Sequence, residues 1–338
     1  MGSVLVTGGA GYIGSHVLKL LGEAGRDVVT LDSLAKGFRE AVCFGDLVVG
    51  NTGDQATVTA LLRDYDVDTV MHFAAWTVVP ESVANPLKYY GNNTCATRNL
   101  LECCAEHGVR NFVFSSTAAV YGIPGAGACP EDAPLAPINA YGHSKLMSEA
   151  MLRDLSAATD LRHVILRYFN VAGADPDGRI GQSTLDATLL IKVAAETAAG
   201  KRDSVSIFGT DYPTRDGTGV RDYIHVVDLA AAHLAALAHL EAGGASTTLN
   251  CGYGHGFSVR EVLDAVARQT GQPLNAIEQG RRAGDPPELV AANDRILNTL
   301  DWQPRFDDLD AIVKSSLDWE AKLEGLRRDG QWLPEDGN

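Results

Sequence analysis

The turn Gly8-Gly9-Ala10-Gly11-Tyr12-Ile13-Gly14 leaves few folds open to this chain. It fits Gly-x-x-Gly-x-x-Gly and, from Gly9, the tighter Gly-x-Gly-x-x-Gly. It follows an apolar run, Val4–Val6, that reads as a strand, and it opens a helical stretch predicted over Ile13–Ala24. A strand, a glycine turn and a helix in that order form the dinucleotide fingerprint. The first glycines let the backbone turn and approach a pyrophosphate. The helix N-terminus supplies free N–H groups and a positive dipole end. Gly14 allows the helix to pack closely on the sheet.

The rest of the first half follows the same alternation. Val28–Leu31, Val70–Phe73, Phe112–Phe114 and Val164–Leu166 read as strands, with helices predicted near Thr57–Arg63, Leu87–Glu106 and Tyr141–Leu155. The strands are continuous and rich in apolar residues, as expected when both faces are buried. The pattern predicts an α/β protein with a Rossmann-type doubly wound parallel sheet. After about Val171 it changes. Asp175-Pro176-Asp177-Gly178 is a turn cluster. Helices follow near Leu189–Ala199, Val227–Leu240, Val259–Thr270 and Leu309–Leu323, with short strands near Val205–Ile207 and Tyr223–His225. Ser258 and Glu261 have capping-box spacing. The expected division is a nucleotide domain over 1–171 and a smaller α/β substrate lobe over 172–338, with some segments returning to the first domain. Seven prolines and glycines over residues 122–137 predict a long loop.

Asp32 comes 18 residues after Gly14, at the end of the second strand. A carboxylate there accepts the adenosine ribose hydroxyls and repels a 2′-phosphate, which favours NAD over NADP. Lys36 and Arg39, close behind it, argue the other way. The second chemical signal is Tyr141 and Lys145 in Tyr-Gly-His-Ser-Lys. Four residues of spacing put phenol and ammonium on one face of a helix. An ammonium beside the phenol lowers its pKa towards the working pH, so the phenol can move a proton while a nicotinamide accepts a hydride. Phe112–Phe114 runs into Ser115-Ser116-Thr117, whose hydroxyls should reach the crevice at the carboxyl ends of the strands. The simplest assembly has Thr117 and Tyr141 on one substrate hydroxyl, with Lys145 behind them reaching the cofactor ribose. His72 and His143 read as structural.

The net charge is −15, from 28 basic and 43 acidic residues, which argues against nucleic acid. No apolar run is long enough to span a membrane, and no basic segment precedes the first strand as in a signal peptide. The six cysteines lack the paired spacing of a metal site, so no metal is expected. Reduced, packed cysteines suit a cytoplasmic protein.

These pieces together resemble the extended short-chain dehydrogenase/reductase family, and within it the nucleotide-sugar 4-epimerases, over nearly the whole chain. The matching runs are Val6–His16, His72-Phe73-Ala74-Ala75, Ser115–Gly122 and Arg167-Tyr168-Phe169-Asn170. The most specific is Ile207–His225, which carries Asp-Gly-Thr-Gly-Val-Arg-Asp-Tyr-Ile-His. The resemblance implies Thr117, Tyr141 and Lys145 as the catalytic trio. It implies Gly8, Gly11, Tyr12, Ile13, Gly14, Asp32, Phe73, Ala74, Asn92, Lys145 and Tyr168 around NAD. Asn170, Phe208, Arg221, Arg282 and Asp285 would join Thr117 and Tyr141 around a UDP-sugar. The helices near Leu87–Glu106 and Tyr141–Leu155 would pair across a twofold axis in a homodimer. The activity implied is reversible oxidation at C4 of a UDP-hexose through a 4-keto form, with a UDP-N-acetylhexosamine, UDP-pentose or UDP-uronate as the alternative substrate.

Some positions depart from the family's pattern. Thr77 stands where a Lys or Tyr is common, Asn51-Thr52 where an acidic-aliphatic pair lies beside the adenine, Leu189 where an Asn or His is common, and Lys192 where a proline is common. Leu289 replaces a bulky Tyr, which leaves room for an N-acetyl group at C2 of the sugar. A 4,6-dehydratase needs an acid pair where Ala118 and Ala119 stand. A non-catalytic nucleotide sensor would be expected to lose Tyr141 or Lys145.

Overall fold

The computed structural model describes residues 2–282 and 284–334. The extreme ends of the two expected lobes, residues 1 and 335–338, lie outside the described residues. The first half runs β1 (Ser3–Thr7), α1 (Tyr12–Glu23), β2 (Val28–Asp32), β3 (Asp46–Val49), α2 (Gln55–Asp64), β4 (Val67–His72), α3 (Val79–Ala84), α4 (Pro86–Tyr89), α5 (Ala96–Glu106), β5 (Asn111–Thr117), α6 (Ala140–Ala158), β6 (Arg162–Tyr168) and β7 (Asn170–Ala172). The second runs α7 (Leu190–Ala198), β8 (Val205–Phe208), β9 (Val220–Arg221), β10 (Tyr223–His225), α8 (Val226–Glu241), β11 (Thr247–Cys251), β12 (Phe257–Ser258), α9 (Val259–Thr270), β13 (Ala276–Gln279), β14 (Glu288–Leu289), α10 (Asp294–Thr299) and α11 (Leu309–Arg328).

Seven strands form one parallel sheet in the order β11-β6-β5-β4-β1-β2-β3. Alternation along β1 explains why the sheet is covered on both sides. Val4 and Val6 join a core with Val17 and Leu18 of α1 and Leu229 of α8. Leu5 faces the opposite core, with Val58 and Leu61 of α2, Leu100 of α5 and Leu152 of α6. Successive strand side chains point to opposite faces, so a strand covered on both sides reads as a run of apolar residues rather than an alternation. The strand order reverses between β1 and β4, and a crevice opens there at their carboxyl ends.

β3 and β11 escape the sequence pattern. β3 is an exposed edge strand, so its residues need not read as core. β11 is short, and pairing with β6 is what makes it a strand. The helix expected over Leu87–Glu106 is interrupted. A π-helical turn spans Tyr90–Cys95 between α4 and α5. Such widened turns concentrate at functional sites. This one lets Asn93 bond the backbone of Trp76 through both its side-chain atoms, at 2.8 and 2.9 Å, and reach Ser144 Oγ of α6 at 3.1 Å.

Smaller sheets carry the second half. β12, β9 and β14 form a three-stranded sheet, β13 pairs with β8, and β10 with β7. Helix α9 begins with the capping box expected at Ser258 and Glu261.

Candidate active site

The glycine turn lies at the point where the strand order reverses. Gly8 has φ +72°, and a Cβ there would fall 2.6 Å from Ala74 N, beyond the end of β4. The chain leaving β1 and the chain leaving β4 therefore touch, backbone to backbone. A Cβ on Gly14 would fall 2.2 Å from Gly8 O, so α1 can approach the turn only with glycine. Gly11 caps α1 with no side-chain bond, and the first turn of the helix holds no acidic residue. The N–H groups of Tyr12, Ile13 and their neighbours thus remain directed at an anion. Tyr12 Oη donates to Gly173 O at 2.6 Å and ties this helix end to the chain following β7.

Asp32 closes β2, where its carboxylate accepts from Ala10 N at 2.9 Å and Leu34 N at 2.8 Å. Burial raises its pKa, and the two amides oppose that. Each oxygen keeps a free lone pair direction for a ribose hydroxyl. Phe73 and Ala74 follow β4, with the Phe73 ring 4.8 Å from His233 of α8. Asn92 lines a cavity of about 370 Å³ with Asn51, Trp76 and Lys88. These groups are where a dinucleotide could be held along the crevice.

β5 delivers the reactive hydroxyls. Thr117, at its last position, accepts from Ala119 N at 3.1 Å, and its hydroxyl lies near enough to Tyr141 to oppose the burial-driven rise in the phenol's pKa. Tyr141 stands in the first turn of α6, which Asn139 caps through Gly142 N at 2.9 Å. One turn on, Lys145 Nζ donates to Ser115 O at 2.9 Å and stands 4.8 Å over the Phe114 ring. Tyr168 lies opposite Thr117 in the β5–β6 register, and its hydroxyl accepts from Ser115 Oγ at 3.1 Å. His143 points to solvent. His72 is buried between Thr7 and Thr97, and burial drives its pKa down to about 3.

Burial acts on both members of the Tyr141–Lys145 pair. It raises the Tyr141 phenol above its usual range, with the nearby Thr117 hydroxyl opposing. Burial also pushes Lys145 down to about 7, with Glu149 opposing. Spacing alone treats the ammonium as a fixed charge. Here the same dry pocket disfavours the ionised form of both groups, and the lysine turns to a backbone carbonyl.

On the sugar side, Arg282 stacks its guanidinium 3.6 Å from the Phe208 ring centre, and Arg221 lies 3.6 Å from Asp285. Asp285 N donates to Arg282 O at 3.2 Å, so one short segment holds both pairs. Asn170 opens β7, its N–H donating to Asp222 O at 2.9 Å. Leu289 is half-buried on β14, opposite Arg221 in register. Leu189 and Thr77 are exposed, whereas Lys192 is buried against Glu320 and Glu196.

Residues 4–252 match the sequence model of the NAD dependent epimerase/dehydratase family. The chain belongs to that family. It is 57% identical over 322 residues to the UDP-glucose 4-epimerase of Azospirillum brasilense, covering 95% of this chain and 92% of the relative. Among solved structures it is similar to the UDP-glucose 4-epimerase of Brucella ovis in complex with NAD, at 43% identity and a TM-score of 0.92, over 94% of this chain and 98% of that one. It is also similar to the UDP-Glc/GlcNAc 4-epimerase of Campylobacter jejuni, at 49% identity and a TM-score of 0.84, over 95% and 100% of the two chains.

This family member also has supporting groups that sequence reasoning passed over. Glu149, fully buried one turn beyond Lys145, accepts from Ser116 Oγ at 2.6 Å and from Arg167 at 2.9 and 2.6 Å. It thereby braces the end of β5 from below. A charged residue inside an apolar strand, as Arg167 is in β6, is the signal that could have exposed this pair. Asn93 had no comparable signal, because the π-helical turn that aims it is not visible in the residues. Among the described residues no group of three or more His, Cys, Asp or Glu side chains is arranged for a metal ion.

Proposed function

We propose that this chain is a UDP-glucose 4-epimerase, interconverting UDP-galactose and UDP-glucose with NAD as its cofactor. The observation that carries the reading is the 57% identity to an epimerase across 95% of the chain. The closeness of Thr117, which opposes the burial-driven rise of the Tyr141 pKa, supports it.

The residues assign themselves to roles by position. Gly8, Gly11, Tyr12, Ile13, Gly14 and Asp32 hold the adenosine diphosphate half of NAD. Phe73, Ala74, Asn92, Lys145 and Tyr168 line the remainder. Bound NAD supplies a reversible hydride acceptor for C4 of the sugar, so the reaction has no net redox. Tyr141 takes the proton from the C4 hydroxyl and returns it, with Thr117 orienting that hydroxyl. Lys145, one helical turn from Tyr141, reaches the cofactor ribose behind the phenol. Arg221 and Arg282 grip the diphosphate, with Asn170, Phe208 and Asp285 around them. The sugar is held less firmly than the nucleotide. It turns between the two half-reactions and presents either face of C4.

The nucleotide lobe is taken as 1–171 and the substrate lobe as 172–338, with α8 and β11 returning to the first. The exposed apolar side chains Val83 and Leu87, at 66% and 79% exposure, and Met147 of α6, at 45%, support a homodimer built on those helices. Six unpaired cysteines suit a reducing, cytoplasmic compartment. No described helix is long and apolar enough to cross a membrane.

The test is to incubate purified protein with UDP-galactose and no added NAD. UDP-glucose should form with no accumulation of NADH. Stoichiometric NADH with an oxidised product would move the chain to the dehydrogenases. UDP-N-acetylglucosamine in a parallel tube probes the room beside Leu289.

A further inference from the structure

Asp222 sits between β9 and β10 with no exposed surface. Three backbone amides hold its carboxylate. Tyr253 N donates to Oδ1 at 3.0 Å, and Gly254 N and Ala291 N donate to Oδ2 at 3.0 and 3.3 Å. Its own N–H donates to Leu289 O at 3.2 Å, and its carbonyl accepts from Asn170 N at 2.9 Å. A Cβ on Gly252 would lie 2.5 Å from Oδ2, so the chain after β11 closes directly on the carboxylate. One residue thus bonds the segments bearing Asn170 and Leu289 and the connection at 253–254. Its chain neighbour is Arg221.

We propose that Asp222 is a positioning residue for the UDP-sugar, its carboxylate fastening the connection at 253–254 and Ala291, just beyond Leu289, onto the strand end that carries Arg221. The proposal rests on the substrate-site reading given above. The chemistry favours an ionised carboxylate over any isostere. It offers acceptor sites on both oxygens and no donor. An asparagine has one acceptor oxygen, so its NH₂ would face at least one of the three amides. Burial works against the charge and lifts the Asp222 pKa to about 6, while the three amides and His255 oppose that rise. The other titratable group coupled to it is Cys251, at the end of β11. Arg221 is turned to Asp285. Above about pH 6 the carboxylate accepts all three amides, and below it a protonated oxygen ceases to.

The experiment compares wild type, Asp222→Asn and Arg221→Ala for NAD content and for kcat and KM with UDP-galactose, from about pH 5 to pH 8. Asp222→Asn should keep its NAD and raise KM about tenfold at neutral pH, the effect of leaving one buried donor unpaired. The rise in wild-type KM expected below about pH 6 should be absent in this variant. A wild-type KM in the variant, or a loss confined to kcat, overturns the proposal. Arg221→Ala separates the two readings. If it leaves KM unchanged, the substrate site itself is misassigned. If it raises KM while NAD-loaded Asp222→Asn does not, only the role of Asp222 fails. Should Asp222→Asn lose its NAD, the wild type decides, and a KM that stays constant across the range overturns the proposal.

Discussion

The two sides of the crevice are built in different ways. On the nucleotide side the contacts are backbone. Gly8 meets Ala74, Gly14 meets Gly8, and Asp32 is pinned by two amides at the end of β2, in a sheet whose strand β1 is fully buried at Val4, Leu5 and Val6. On the sugar side the contacts are side chains, carried by short strands and the segment before β14. Arg221 and Asp285 pair at 3.6 Å with side-chain exposures of 15% and 40%, and Arg282 rests on an aromatic ring. Buried backbone does not rearrange without unfolding, whereas partly exposed ion pairs exchange partners at a cost of about 1 kcal/mol or less. The difference suits an enzyme that keeps one ligand through the whole cycle and lets part of the other turn over within the site.

The largest effect is expected at the boundary between the two sides. Tyr141→Phe keeps the ring and its edge contact with Tyr89 but removes the proton-carrying oxygen. It should lower kcat roughly 100- to 10,000-fold while the protein stays folded and holds NAD. A near-normal rate in a folded, NAD-loaded variant would end the mechanism. Next comes the sugar side. Arg221→Ala should raise KM for UDP-galactose about 10- to 100-fold, the range for a charged hydrogen bond, and leave NAD content unchanged. Loss of NAD from that variant would break the comparison, because the two sides would then not be separable.

Smaller effects sharpen it. Thr117→Ala removes one orienting bond and should cost roughly tenfold in kcat, less than Tyr141→Phe, while Thr117→Ser should be mild. A larger loss than at Tyr141 would make Thr117 the proton carrier. The smallest effects concern helix caps. Ser258 is buried on the sugar side and caps α9 while donating to Asp216. Ser258→Ala should cost about 1 kcal/mol in a urea melt. Asp54 caps α2 on the nucleotide side in full solvent, so Asp54→Ala should cost less. The reverse order would mean that the sugar side is stabilised independently of its buried caps.

What could be read ahead of the structure follows the same division. The glycine turn, Asp32, the buried strands and the Tyr141–Lys145 spacing obey rules that act within a few residues, and α9 begins where Ser258 and Glu261 imply. The π-helical turn at Tyr90–Cys95 obeys no such rule. It exists because Asn93 finds Trp76 and Ser144, both far away in the chain. β11 is a strand because β6 offers it an edge. Arg221, Arg282 and Asp285 carry no local sign of function, and only resemblance pointed to them. The drying of the pocket around Tyr141 carries no sign in the residues, because spacing conveys proximity and not burial.

The sequence by itself determined that a parallel sheet would form, that its first turn would admit a pyrophosphate, and that a phenol and an amine would share a helix face. Those outcomes depend on steric freedom at glycine, on alternation along strands and on helical pitch, which are properties of short segments. Tertiary structure alone decided that Thr117 would come near Tyr141, that Glu149 and Arg167 would brace the strand beneath Lys145, and that Asp222 would gather the segments around Arg221. Those contacts join residues remote in the chain. Their hydrogen bonds and charge states depend on burial, which no single segment specifies before the whole chain has closed around it.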